Sequence, residues 1–501
     1  MKDPITPIII SCSQYTQRKN SNEHLDPLSL MIKTGQNAIN STAVEKIKEY
    51  IDAIYMVNIN SWSYKDAPAA LGDALNIIPK EKVYLPDGGN TPQMLVNRAA
   101  KKISKNKLKG ILIIGAEASY SLLLAKKGKI KLDWPQRRNP DYMEGELWDG
   151  IDKFENKYKF KFPPLSYAVL ENAIRNATGR SIKEHREYMG KLFQHFSEIA
   201  SKNPYAWSQK AYTAEEIITP TKNNRMICFP YTKRMCSNMF VDQSAAVLMI
   251  KRALAEELGV SKNQWVYIMG GFDLKNIHEI TRRPHLHTSP ASREGAKLAL
   301  NQAGLELNEI NAFDLYSCFP SIVEIMKKEI EISENDPRDL TLTGGLTYFG
   351  GPWSNYSLHA IVTAVEKIQK NPKLKIMVVA NGGYNTKQSF GIYGKNPPAI
   401  PWNTQESPKI QEDILNNFLE DPIKKANGRL TIEGYTITYN RDQQPIEGIV
   451  IGKIDEDRRT IAYIKADQDK LTELEYKELL GKNLPVYYDN ELQYNIIELS
   501  D

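Results

Sequence analysis

Lys102-Ile103-Ser104-Lys105-Asn106-Lys107-Leu108-Lys109-Gly110-Ile111-Leu112-Ile113-Ile114, running on into Gly115-Ala116-Glu117, is the stretch on which the fold turns. It reads as the end of a helix whose apolar residues recur at helical spacing from Thr91 to Ile103. Lysines close that helix where the macrodipole favours cations, and a buried strand and a turn of small residues follow. The same order returns later: Lys367-Ile368-Gln369-Lys370-Asn371 leads through Lys373-Leu374-Lys375 into a strand ending at Ala380, then Asn381-Gly382-Gly383. Two copies of one helix–strand–turn unit predict a duplicated α/β chain.

Working outward, short apolar runs at Ile8 to Ile10, Ala53 to Val57 and Val266 to Met269 read as further buried strands. Helical periodicity marks Gln243 to Leu258, Ala291 to Ala303, Phe319 to Ile330 and Ser357 to Lys370. Strands alternating with helices predict a mainly parallel sheet covered on both faces. Residues 120–224, rich in aromatics and charges, break the alternation and read as a helical insertion of the kind that covers a site. Pro397, Pro398 and Pro401 mark a linker. Beyond it, short alternating segments at Thr431 to Tyr439, Gly448 to Ile454 and Thr460 to Ile464 predict a small β-barrel. The expected division is 1–255 and 256–396 for the two halves, 397–427 for the linker and 428–501 for the added module.

The 501 residues are 41% hydrophobic, enough for more than one packed domain. A net charge of +5 lacks the strongly basic field of a nucleic-acid binder, so no nucleic-acid partner is expected. The lysines between Lys101 and Lys109 read as a solvated helix end, with a phosphate-bearing ligand as the other reading. Cys12, Cys228, Cys236 and Cys318 have neither zinc-ligand spacing nor the density of a disulfide scaffold, and reduced thiols are expected. The start, Met1-Lys2-Asp3-Pro4, carries no apolar leader, and no uncharged run reaches the ~18 residues of a membrane span. A cytoplasmic location without a membrane span is the expectation.

Cys318 follows a strand at Asn311 to Leu315 and precedes a helix opened by Pro320, where a helix N-terminus can lower a thiol pKa; a buried, inert cysteine is the other reading. Glycines at Gly88-Gly89-Asn90, at Gly344-Gly345 with Gly350-Gly351-Pro352, and at Asn381-Gly382-Gly383 permit close backbone approach to a ligand. The helix that starts at Thr91-Pro92 offers N–H groups for an oxyanion or a phosphate. His359 lies near a helix start and reads either as a donor to the site or as a structural hydrogen-bonding residue. His285 and His287 lack a third ligand, and no metal is expected. The segment Arg225 to Asn238 reads as a loop lining a pocket.

Taken in order, these loops resemble the thiolase superfamily from residue 5 to 395. Gly344-Gly345 and Gly350-Gly351-Pro352 look like its GGxxxxGHP segment with Gly351 in the histidine's place. Tyr316-Ser317-Cys318-Phe319 looks like NEAF, and more closely like the HDCF variant of sterol-carrier-type thiolases, whose cysteine Cys318 matches. Asn381-Gly382-Gly383 falls at CxG, and counting back from Ala99-Ala100 puts Gly89 at the nucleophilic cysteine, with Gly88 as the near alternative. The whole pattern looks most like thiolase-like protein type 1, in which the C-terminal addition is a small OB-like barrel.

The resemblance implies a duplicated α/β/α/β/α layered fold and acyl-CoA chemistry. It places substrate-binding roles at Gly88, Gly89, Asn90, Gly350, Gly351, Asn381 and Gly382. It leaves catalysis to Cys318, as base or nucleophile, with Tyr316, His359 or backbone N–H groups as donors. Without a nucleophile at Gly89 or a histidine at Gly351, the two-step reaction through an acyl-cysteine is not expected. The resulting readings are an acyltransferase-like enzyme, a non-catalytic acyl-CoA or lipid binder, or a scaffold whose C-terminal module recruits a partner. Coenzyme A or acyl-CoA is the implied ligand, with no tightly bound cofactor. A homodimer is implied by the family, and a monomer stays open.

Overall fold

The computed structural model describes residues 3–145, 150–404 and 409–499; the first two and last two residues, four of the insertion and four of the expected linker lie outside it. The first half runs β1 (Pro7–Thr16), α1 (Pro27–Asn40), β2 (Ala53–Met56), α2 (Ala67–Leu75), β3 (Glu81–Tyr84), α3 (Thr91–Ser104) and β4 (Gly110–Ala118). The insertion adds α4 (Ser119–Lys126), α5 (Lys153–Lys157), α6 (Pro163–Thr178), α7 (Ile182–Lys202) and α8 (Ala214–Ile218). After β5 (Met226–Cys228) and β6 (Tyr231–Thr232), the half closes with β7 (Asp242–Lys251) and α9 (Arg252–Glu257). The second half runs β8 (Val266–Lys275), α10 (Pro290–Ala303), β9 (Ala312–Leu315), α11 (Pro320–Glu329), α12 (Gly345–Tyr348), α13 (Tyr356–Lys370), β10 (Ile376–Gly382) and β11 (Lys387–Gly394).

Local chemistry starts these helices: α1, α2, α3, α10 and α11 carry proline in the first turn. The side chains of Asp26, Asp66 and Ser289 accept N–H groups at their caps. Lys101 and Lys102 end α3, and Lys367 and Lys370 end α13, as the repeated unit predicts.

Nine strands pair in the order β3-β2-β4-β7-β1-β8-β11-β10-β9. In the first half β2, β3 and β4 are parallel, and β7 runs antiparallel to both β4 and β1. In the second half β9 and β10 are parallel, and β11 runs antiparallel to β10 and β8. The arrangement repeats, and the halves meet through two residue pairs, Ile8 with Tyr267 and Ile9 with Val266. The sheet is therefore mixed rather than mainly parallel. A tight connection through Gly383 can join β10 to β11 only antiparallel, and β7 re-enters from the far end of the insertion.

The central layer is α3 against α13, where Leu95, Val96 and Ala99 meet Leu358, Ile361 and Val362 between Ile111, Ile113 and Val247 of one half and Ile268, Ile376 and Val378 of the other. The opposite faces of the same strands, including Leu112, Ile114, Leu248 and Ile250, pack into the outer core with α1. Helices α10 and α11 belong to that outer core on the second half. Helix, sheet, helix pair, sheet and helix give the layered α/β fold.

Three expectations are corrected. Gln243 to Leu258 is not a helix, because β7 occupies most of it and only Arg252–Glu257 is helical. Its apolar run is buried on both faces, with Ala245, Val247 and Met249 inward and Ala246, Leu248 and Ile250 outward; a short run of that kind fits a helix or a buried strand equally. Gly115-Ala116-Glu117 is not a turn but the continuation of β4, paired with Ala245, Ser244 and Gln243. Gly115 is small because Asn355 presses on it and donates to its carbonyl at 2.8 Å. Asn381 and Gly382 likewise lie in β10, and the turn begins at Gly383.

The described parts of the expected linker, residues 397–404 and 409–427, are packed against the second half. Trp402 is buried and donates to the Ile268 carbonyl at 2.9 Å, and α14 (Ile410–Asn416) places Ile414 on Phe272, Leu274 and Ala291. Beyond it come β12 (Gly428–Tyr439), β13 (Pro445–Lys453), β14 (Arg459–Lys465), α15 (Gln468–Glu473), β15 (Asn483–Asp489) and β16 (Tyr494–Glu498). The pairing runs β13-β14-β16-β15-β12, and β12 also pairs with β13, so it returns to its start. The expected loop at Arg225 to Asn238 is annexed by this unit, since β5 pairs with β12 and Phe229 N–H donates to the Ile437 carbonyl at 2.8 Å. Asn172 of α6 donates to the Tyr435 carbonyl at 2.9 Å, and the buried Arg459 side chain donates to the carbonyls of Thr281, Arg283 and Pro284. The added module is thus locked to both the insertion and the second half.

Candidate functional site

The N-termini of α3 and α13 converge on one loop. Ser357 of α13 donates to the Gly89 carbonyl at 2.7 Å, Ser354 accepts from Gly88 N–H at 3.0 Å, and Asn90 donates to Ser389 at 3.2 Å. Against this loop lie the ends of β9 and β10, carrying Tyr316 to Cys318 and Asn381. Strand C-termini facing helix N-termini are where α/β sheets take ligands.

Gly89 is the tightest point. A Cβ built on it falls inside contact distance of the Tyr316 hydroxyl and the Asn381 backbone carbonyl, and 2.6 Å from Tyr316 Cζ. The Tyr316 phenol therefore fills the space that a side chain at position 89 would use. Its ring sits edge-on to Tyr356 at 5.6 Å. Tyr356 in turn donates to Asp314 at 3.0 Å, whose other oxygen accepts from Leu342 N–H at 2.8 Å and so positions the Gly344-Gly345 loop. Gly344, Gly345 and Gly350 all have left-handed φ (+106°, +76° and +118°), which explains the glycines there. Gly351 has another reason: a Cβ on it would strike Ser237 Oγ. Ser237 N–H donates to the Cys318 carbonyl at 3.0 Å, and Gly351 N–H to the Asn238 carbonyl at 2.9 Å, which tie that loop to the cluster.

The insertion supplies the residue that sequence reasoning missed. Tyr167 of α6 stacks on Phe319 at 4.7 Å and receives the Asn381 amide at 3.3 Å, which brings its hydroxyl to the neighbourhood of Cys318. An aromatic residue early in a helix opened by Pro163-Pro164 was the available signal. Asn381 Oδ1 accepts from Gln388 at 2.8 Å. Around it the buried Asn90 Oδ1, Asn385 Nδ2 and Gln388 Oε1 have no hydrogen-bond partner, so unpaired polar atoms cluster near Asn381.

Of the two readings of Cys318, the structure favours the buried cysteine over the thiol with a lowered pKa. Burial pushes its thiol up to about 12, and the Tyr167 hydroxyl and helix-start N–H groups offset this only in part. Desolvation of a buried thiolate outweighs a helix end. Burial raises the other three thiols as well. Native protein at neutral pH is therefore expected to react slowly with Ellman's reagent at all four cysteines and quickly once denatured. Rapid native labelling that Cys318→Ala removes would contradict the enclosed thiol.

Gly88, Gly89, Asn90, Tyr316, Cys318, Asn381 and Gly382 are brought together, and Gly350 and Gly351 join them through the Ser237–Asn238 loop. His359 faces elsewhere: Nδ1 lies 3.0 Å from Gln14 Oε1 on β1, its ring packs on Phe349, and burial pushes its pKa down to about 3. It is a neutral structural histidine, which corrects its candidacy as a donor in the site.

A second buried polar cluster joins α6, α7 and α11. His185 Nε2 lies 2.7 Å from Glu171 Oε1 and 3.7 Å from Glu324 Oε1, while Arg180 donates to Glu324 Oε2 at 2.8 Å. These three side chains could in spacing hold a cation. However, His185 Nδ1 faces the Arg180 guanidinium at 3.4 Å, a donor only, so Nδ1 must accept and Nε2 must carry the proton given to Glu171. With no lone pair on Nε2, the cluster reads as a hydrogen-bonded lock between the insertion and the second half. His285 and His287, whose ring centres are 5.5 Å apart, are not part of it.

Comparison with known proteins follows from this geometry. The pattern of the thiolase-like protein type 1 additional C-terminal domain matches residues 409–491. The chain is 31% identical to a monomeric SCP2-thiolase-like protein type 1 from Mycobacterium smegmatis, with all of both chains covered and a TM-score of 0.85. It aligns with the dimeric peroxisomal thiolase of Saccharomyces cerevisiae at a TM-score of 0.56 and 14% identity, over 79% of this chain and 99% of that one. Among curated proteins, sterol carrier protein 2 of Bos taurus is 23% identical over 237 residues, 45% of this chain. That match spans 40% of the bovine protein's length.

Proposed function

The chain belongs to the SCP2-thiolase-like protein type 1 family, and from that premise we propose that it binds acyl-CoA thioesters at the Gly89–Asn381 site without forming an acyl-enzyme. The observation that carries this reading is the Tyr316 hydroxyl in the side-chain space of Gly89, where the thiolase resemblance puts the nucleophile. The converging N-termini of α3 and α13 and the unpartnered amide atoms near Asn381 are suited to a thioester carbonyl and a pantetheine amide. The partial match to sterol carrier protein 2 supports a lipid or acyl ligand. Titration calorimetry with CoA, acetyl-CoA and a long-chain acyl-CoA, followed by mass analysis of ligand and protein, tests it. Binding with the thioester recovered intact is expected, and no heat with any of the three would sink the proposal.

A second reading keeps chemistry, acyltransferase-like, at Cys318. The observation in its favour is the thiol held beside Tyr167 Oη next to the Asn381 amide, an arrangement suited to moving one proton once a ligand changes the local field. Consumption of acyl-CoA that Cys318→Ala abolishes would make this the correct one.

The proposal includes a monomeric state. The backbone of the edge strand β3 is partly covered by the insertion: Glu144 N–H donates to the Tyr84 carbonyl at 2.8 Å, and Arg98 of α3 holds the Glu144 carboxylate at 3.1 Å. Light scattering is expected to give the 57.0 kDa of one chain, and a dimer mass would require another interface.

A further inference from the structure

From the surface beside the Gly351 loop we infer that this chain docks on an anionic phospholipid bilayer. The inference rests on its own observations and not on acyl-CoA binding. Asn238, which receives Gly351 N–H, is followed by Met239 and Phe240, 37% and 45% exposed, and Gly351 is followed two residues later by Trp353, 41% exposed. Three large apolar side chains thus stand in solvent on two adjoining loops at the edge of the candidate site. Buried packing would be the ordinary fate of such residues, and a run of them at loop tips marks a contact surface.

The charge around these tips decides the occupant. Helix α4 begins against the same loop, with Ser119 N–H on the Val241 carbonyl at 3.1 Å and Tyr120 N–H on Asp242 at 2.9 Å. It lies on the surface with Leu122, Leu123 and Leu124 half-buried and then presents Lys126, Lys127, Lys129 and Lys131, all exposed. Lys19 joins them over the Trp207 ring at 5.5 Å, a ring that also meets Tyr120 edge-on, and its pKa is lowered by burial and then by the nearby Lys233. Among the described residues no ion pair involves any of these six lysines. Within residues 18–24, 119–133 and 233–240 the acidic side chains are Glu23 and Asp133 alone.

Lysines without counter-ions beside half-exposed leucines and exposed aromatic tips are the chemistry of an interfacial lipid contact: the cations gather at anionic headgroups while the apolar tips enter the acyl boundary. An acidic protein partner would satisfy the lysines but leave the projecting Phe240 and Trp353 unexplained. Docking in this orientation would put the Gly351 loop against the membrane, where an acyl chain is available.

Co-sedimentation of the full chain with vesicles of phosphatidylcholine, with and without phosphatidylglycerol, at low and raised salt, tests the inference. The chain is expected to pellet with the anionic vesicles, to stay in solution with the neutral ones, and to be released by salt. The exposed quadruple variant Lys126→Glu/Lys127→Glu/Lys129→Glu/Lys131→Glu should lower partition by roughly a thousandfold, at about 1 kcal/mol per lysine. Met239→Ser with Phe240→Ser should lower it severalfold at unchanged charge. Failure to pellet, equal binding to both vesicle types, or an unaffected quadruple variant would overturn the inference. So would an unaffected serine pair combined with equal retention on heparin, which would identify a site for soluble polyanions.

Discussion

A chain carrying Gly89→Cys is expected to melt well below the parent and to show no acylation at position 89 on incubation with acetyl-CoA. The new Cβ would have to enter space held by the Tyr316 phenol and by the Asn381 backbone carbonyl. A side chain can rotate away, but the carbonyl belongs to β10, paired with β11 through Asn381 and Gln388, and cannot retreat without breaking the ladder. Overpacking against backbone of this kind costs about 3 kcal/mol. The companion Gly89→Cys/Tyr316→Ala removes the phenol and leaves the carbonyl, so it should recover only part of the loss. Thermal melts of parent, single and double variants measure this. A single variant as stable as the parent would mean that the loop from Asp87 to Asn90 shifts freely, and the steric basis of the proposed function would fall with it.

The second large effect is a loss of stability as pH rises from mildly acidic to slightly alkaline, centred on Glu324. Burial first, and then repulsion from Glu171, raise the pKa of Glu324 above the ordinary carboxylate range, against the opposing influence of His185 and Arg180. Burial also raises Glu171, while Tyr231 donates to its Oε2 at 2.6 Å. Lys327 and Glu334 complete the charged surroundings. A carboxyl whose folded pKa is raised favours the folded state fully below its unfolded pKa, and that advantage is lost as pH rises through the folded value. Stability is therefore expected to fall from mildly acidic to slightly alkaline pH and to level off beyond. Glu117 and Asp314, pushed up by burial to about 7 and about 6, add smaller slopes of the same sign.

Glu324→Gln keeps the shape and removes the ionisation, so it should flatten much of the slope, with its largest stabilising effect on the alkaline side. Arg180→Ala should do the reverse: with the guanidinium gone, an ionised Glu324 is buried without its counter-charge, at a cost of about 3–5 kcal/mol at alkaline pH and less in acid. Melting temperatures across the pH range read both. If Glu324→Gln keeps the parental slope, the proton is not shared at this cluster.

Much of the fold was written locally. The lysine-ended helices α3 and α13 and the strands after them were legible because periodicity, capping residues and the macrodipole act between near neighbours in the chain. The same holds for the proline-opened helix at Pro320 and the alternating strands beyond Gly428. The family resemblance placed Gly89, Tyr316, Cys318, Gly351 and Asn381 together, and the fold brings their loops into one neighbourhood. The identity of β7 was not legible, because the seven apolar or small residues from Ser244 to Ile250 satisfy a helix and a doubly buried strand alike.

What only the tertiary structure decided concerns occupancy and solvation. No local pattern says that the Tyr316 hydroxyl fills the side-chain space of Gly89, or that Tyr167, from the insertion, stacks on Phe319 and receives the Asn381 amide. Nor could a helix start by itself reveal that Cys318 is buried deeply enough to raise its pKa, or that His359 looks at Gln14. Secondary structure follows from residues close in sequence, so the chain alone carries it. Which atoms fill a given cavity, and how far a charge there is desolvated, depend on segments hundreds of residues apart and are set only when the layers close.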